Sequence, residues 1–65
     1  MTRETLEKLP QEVRNRIERF KKDSKNNIRY RELYVNKGIG YVEGLRDAGL
    51  ISENECKALK CYVTI

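Results

Sequence analysis

Residues 48–55 read "AGLISENE", and this stretch decides the fold. Gly49 suits the position just past a helix end, where a left-handed backbone is wanted, with Leu50 as the apolar contact beyond it. Ser52 and Glu55 have the spacing of a capping box, in which a hydroxyl and a carboxylate each satisfy the other residue's backbone N–H at a helix start. One helix therefore stops and another starts within eight residues, which makes a helical hairpin with a tight turn.

Downstream, the pattern predicts a helix to about Tyr62 that buries Cys56, Leu59 and Val63. Upstream, a second helical region is expected from near Ile28 toward Ala48, with Ile28, Val35, Ile39, Val42 and Leu45 as its buried face. "NKGIG" interrupts that region, because Gly38 and Gly40 each cost about 1 kcal/mol against Ala in a helix interior. A kink or break is expected near Gly38–Gly40. Gly40, Gly44 and Ala48 follow at steps of four, a strip of small residues that lets another helix approach closely. The expected neighbour is a helix of the same molecule, and a homodimer face is the alternative.

Toward the N-terminus, Leu6, Leu9, Val13, Ile17 and Phe20 recur at helical intervals and form one apolar stripe with charge around it. Thr5 reads as an N-cap. Pro10 would damage a helix interior but suits a first turn, so the regular helix is expected from near Leu9, with a frayed lead-in. "DSKNN", Asp23 to Asn27, is turn chemistry and should end it. No alternating strand pattern competes. The fold class is therefore all-α: a compact three- to four-helix domain spanning 1–65, closed by the C-terminal hairpin.

A chain of 65 residues lies near the lower limit for folding alone. A core of this size supplies only ~3–5 kcal/mol, so association would help it. No apolar run approaches the ~20 residues of a membrane span. "MTRETLEKLP" lacks the hydrophobic segment of a secretory signal, so a cytoplasmic location is expected. Cys56 and Cys61 are five apart; on a helix they point roughly 140° away from each other, a poor geometry for a disulfide. With no His, a four-ligand zinc site is not expected either. Reduced thiols are.

Charge is concentrated. Val13 to Arg31, "VRNRIERFKKDSKNNIRYR", holds eight Lys or Arg against two acids, a net +6 in a chain whose total is +4. Glu12 with Arg16 and Glu18 with Lys22 have i,i+4 spacing and should pair weakly. Arg14, Arg19, Lys21, Lys25, Arg29 and Arg31 have no local partner at that spacing. Such a density exceeds what solubility needs and points to an anionic contact. Tyr30, Tyr34 and Tyr41 would share one side of a continuous second helix, and Tyr30 stands between two arginines. Tyrosine and arginine are the residues that anchor binding surfaces. Tyr41 is expected in the core.

Enzyme chemistry is not expected. None of the usual sets of nucleophile, base and stabiliser is present, and "GIGYVEG" lacks the preceding strand and the Lys-Ser/Thr ending of a phosphate loop. Glu43 and Asp47 read as solvated acids, with Glu43 spaced to pair with Arg46. A helix-turn-helix reading fits poorly, since the helix end that would enter the major groove carries Glu53 and Glu55.

The segment "VEGLRDAGLISENECKALK" resembles the short helical-hairpin modules called SHOCT, which share a Leu-x-x-Ala-Gly-x-Ile-x-x-x-Glu pattern; it departs from them at Cys56, where an aromatic residue is usual. The resemblance covers residues 42–60 and implies interaction or oligomerisation, with no catalytic residues. The whole chain looks like the small helical proteins of phages and mobile elements, a class that includes anti-CRISPR proteins. That likeness implies a non-enzymatic blocker of a nucleic-acid-handling protein. The contact would come from Arg14, Arg19, Lys21, Lys22, Lys25, Arg29, Tyr30, Arg31 and Tyr34. The partner would offer an acidic or nucleic-acid-binding surface. Direct binding to DNA as a small regulator, and an oligomerisation role, are the alternatives. No cofactor, metal or membrane is implied.

Overall fold

Pro10 divides the N-terminal apolar stripe into two helices. The computed structural model describes residues 2–64, and in it α1 spans Thr2–Lys8 and α2 spans Gln11–Asn26. Proline disfavours helical backbone in the residue before it, so the chain bends at Leu9–Pro10 and Pro10 takes the N-cap position of α2 (φ −55°, ψ 149°). The lead-in that was expected to fray is thus a helix in its own right, with Leu6 and Leu9 buried. Thr5 is not an N-cap. It lies inside α1, buried, and its hydroxyl donates to Glu55 Oε2 at 3.4 Å.

α2 ends at Asn26 with Asn27 as its C-cap, inside "DSKNN" as expected. The polar residues there close its last turn. The Ser24 hydroxyl is buried and donates to the Lys21 carbonyl (2.8 Å), while the backbone N–H and the side-chain amide of Asn27 both donate to the Asp23 carbonyl (3.1 and 3.0 Å). A single 3₁₀ turn, Ile28–Tyr30, then leads into α3, Arg31–Asp47.

α3 is one unbroken helix, so the expected break at Gly38–Gly40 is absent. Gly38 has a packing reason instead. A Cβ there would lie 3.3 Å from Phe20 Cβ and 3.4 Å from Val63 Cβ and Cγ2, so α2 and α4 both close on α3 at this one residue. Gly40 and Gly44 behave differently: a Cβ on either meets nothing within 4 Å. The Gly40, Gly44, Ala48 strip is exposed and carries no helix of the same molecule, contrary to expectation.

The hairpin follows its sequence grammar closely. Gly49 has φ +80°, the Leu50 N–H reaches the Leu45 carbonyl (3.0 Å) and the Gly49 N–H reaches that of Arg46 (2.9 Å), the pair of bonds that seals a helix end. The apolar residue that anchors the turn is Ile51, which is buried, whereas Leu50 is 55% exposed. The Glu55 N–H reaches Ser52 Oγ (3.1 Å) and the Ser52 N–H reaches Glu55 Oε1 (2.8 Å), completing the capping box that opens α4, Glu53–Thr64.

The centre of the core is Ile17 of α2, Val42 of α3, and Cys56, Leu59 and Val63 of α4, all fully buried, and Leu6 of α1 packs into the same cluster. α2 packs on α3, α3 on α4, and α1 lies on α4. Tyr41 joins the edge of this core, as expected, with its ring 5.6 Å from that of Phe20. Cys56 is buried and Cys61 exposed, both free thiols. Glu43 pairs across the hairpin with Lys60 (2.8 Å) rather than along its own helix with Arg46, which holds Asp47 and Glu53. Among the described residues no helix is long and apolar enough to cross a membrane.

Candidate docking surface

The basic segment does not form one surface. On a repeat of 3.6 residues, Lys25 shares a flank of α2 with Arg14 and Glu18, Lys22 lies near the outermost line, on the Lys25 side, and Arg16 and Arg19 lie on the other flank with Glu12 and Asp23. That second flank is a shallow groove of mixed charge, lined by those four residues with Asn15 and Phe20. Arg19, expected to have no partner at i,i+4 spacing, pairs there with Asp23 at 3.8 Å. Arg14, half-buried, donates to Gln11 Oε1 at 3.0 Å. Glu18 accepts a hydrogen bond from the Tyr62 hydroxyl, in place of the expected pairing with Lys22.

Two of the expected contact residues hold the C-terminal end of α4. Lys21 Nζ donates to the Tyr62 carbonyl at 2.8 Å and sits 4.3 Å from the centre of the Tyr62 ring. Arg31 donates to the Thr64 carbonyl at 3.4 Å. The last carbonyls of a helix lack intrahelical partners and carry partial negative charge, so cations are favoured there. Burial is the main cause that lowers the Lys21 pKa, followed by repulsion from Lys25, with Glu18 opposing both. Tyr62 is pushed up to about 12, by burial first and then by the Glu18 carboxylate.

What remains free to meet a partner is the corner between α2 and α3. Lys22, Lys25, Arg29 and Tyr30 are all exposed, with the Arg29 guanidinium 5.8 Å from the Tyr30 ring centre. Ile28, expected in the core, is 87% exposed, and Tyr30 is 52% exposed. The 3₁₀ turn is the cause, because it displaces Ile28 from the register of α3 and turns it outward. Tyr34 is half-buried, with the Lys37 ammonium 5.8 Å from its ring. The corner therefore combines three exposed cations with an exposed aliphatic and an exposed aromatic side chain. Nothing in the apolar periodicity marked Ile28 as a surface residue; the "NNIRYR" turn chemistry just before it was the available signal.

No protein-family model, curated protein or solved structure matches the chain. The fold and this surface together define a small four-helix all-α domain with a basic, partly apolar corner.

Proposed function

We propose that this is a non-enzymatic binding protein that docks through the α2–α3 corner on an acidic surface of a nucleic-acid-handling protein and blocks it, in the manner of an anti-CRISPR protein. The observation that carries the reading is the exposure of Ile28 and Tyr30 among Lys22, Lys25 and Arg29. Cations steer encounter with an anionic surface. A large apolar side chain and an aromatic ring side by side supply the desolvated centre that a protein interface needs, and duplex DNA has little use for an aliphatic residue outside its grooves. A groove that holds nucleic acid is itself cationic and would repel this corner, so the docking site on such a partner is one of its acidic faces. The likeness to small helical phage proteins supports the partner class, and two reduced thiols fit a cytoplasmic setting.

The test uses wild type and Lys22→Glu/Lys25→Glu/Arg29→Glu. Arg19 is left out because it lies on the other flank with Asp23. A photo-reactive residue at position 30 should crosslink to a protein in cells, and the triple reversal should abolish the product. Retention of generic duplex DNA at low salt, falling steeply as salt rises and absent from the triple variant, would replace this reading with that of a DNA-binding regulator.

A further inference from the structure

A second surface, on the far side of the molecule's central helix, has a self-complementary pattern. On the helical repeat Leu33, Lys37, Gly40, Gly44 and Asp47 fall on the side of α3 opposite buried Val42, and all five are exposed. The two glycines at its middle have no neighbour within 4 Å of where a Cβ would be. Leu33 is 50% exposed at one end, and Leu50, just past the other end, is 55% exposed. Lys37 and Asp47 are charges of opposite sign placed between the glycines and those ends.

We infer that the outer face of α3 is a homodimer interface, formed by two antiparallel copies of α3 crossing at Gly40 and Gly44. A two-fold axis centred on residue 42 brings Gly40 of one copy level with Gly44 of the second. The same axis sets Lys37 against the second copy's Asp47, and Asn36 against its Ala48. It also carries Leu33 to within one residue of the level of the second copy's Leu50. Each of these pairings occurs twice, as an isologous contact requires. The register is set by charge: a parallel arrangement would place like charges together, Lys37 on Lys37 and Asp47 on Asp47. Glycine at the crossing lets the two backbones approach closely, so the leucines at the ends can meet. Asp47 retains acceptor capacity for this, because its carboxylate is largely exposed even while bonded to Arg46 at 3.3 Å. The pairings use none of Lys22, Lys25, Ile28, Arg29 and Tyr30, the residues of the α2–α3 corner.

One helix crossing is a small interface, so the dimer is expected to be weak. Sedimentation equilibrium from about 1 µM to about 1 mM spans the relevant range of dissociation constants. Wild type should pass from monomer to dimer within it. Lys37→Glu should weaken association at least tenfold, and Lys37→Glu/Asp47→Lys should restore it. Gly40→Gln/Gly44→Gln adds side chains at positions where a Cβ has open space in the monomer and should abolish the dimer. A wild type that remains monomeric throughout would overturn the inference. So would a glutamine variant that dimerises as wild type does, and a charge swap that fails to restore association would overturn the antiparallel register.

Discussion

Lys21 spans two helices that are far apart in sequence: from the middle of α2 its ammonium bonds the Tyr62 carbonyl near the end of α4, 41 residues away. A lysine in the densest part of the basic segment is thereby a structural clamp. Lys25, one turn further along, is exposed.

The two lysines should consequently separate in experiment. Lys21→Met removes a charged donor from a half-exposed helix end and should cost about 1 kcal/mol. In a domain of this size that lowers the thermal midpoint by roughly 4–8 °C. Lys25→Met should leave the midpoint within a degree or two and weaken docking instead. Thermal melts followed by circular dichroism, read beside crosslinking yield, test the pair. Equal destabilisation by both would contradict the assignment of Lys21 as a clamp.

Gly38→Ala and Gly40→Ala should change stability in opposite directions. Both gain up to about 1 kcal/mol of helix propensity. At position 38 the new methyl meets the Cβ atoms of Phe20 and Val63 at 3.3 and 3.4 Å. Those atoms are fixed to their backbones and cannot swing aside, so the helices must separate, and overpacking of this kind costs about 1–3 kcal/mol. Urea titration at low micromolar protein, where the dimer is dissociated, should show Gly38→Ala less stable than wild type and Gly40→Ala more stable. The same sign for both would mean the α2–α3–α4 junction is looser than the distances imply.

Stability should also bend at both ends of the pH scale. Tyr62 has its folded pKa raised to about 12, from 10.0. Its contribution is therefore complete below about pH 10 and lost as pH rises through 12. Glu43, held down chiefly by the hydrogen bond from Lys60, and Glu55, held down chiefly by the Ser52 N–H, have lowered pKa values. Their contributions are present above the ordinary carboxylate range and fade as pH falls through it. Denaturation midpoints measured from acid to alkaline pH should show both losses. Tyr62→Phe should remove the alkaline one, and Glu55→Gln should flatten the acid one. An unchanged alkaline limb in Tyr62→Phe would sink the first assignment.

The parts of the fold that were legible in sequence are those fixed by neighbours in sequence. "AGLISENE" could be read, apart from the exchange of Leu50 for Ile51 as the apolar anchor, because the sealing bonds and the capping box span only Leu45 to Glu55. Gly38 was read as a breaker because propensity concerns a helix alone, whereas its role depends on Phe20 and Val63 arriving from two other helices. Pro10 was weighed as an obstacle to one helix and proved to be the junction of two. Within the basic segment, helical periodicity already separates Arg19 from Lys25. The diversion of Lys21 and Arg31 to the end of α4 was not readable, since their acceptors lie 41 and 33 residues away.

The resting place of α1 on α4 also sets an order of events. Thr5 and Lys8 both reach Glu55, at 3.4 and 3.9 Å, and the first of these contacts closes a loop of 50 residues. α2, α3 and α4 are joined by short turns and can assemble from nearby contacts, which form fastest. The capping carboxylate that starts α4, and the core surface that buries Leu6 and Leu9, must be in place before α1 can dock. α1 is therefore the last piece to dock and the first to release: a clasp that opens while the three-helix body stays closed.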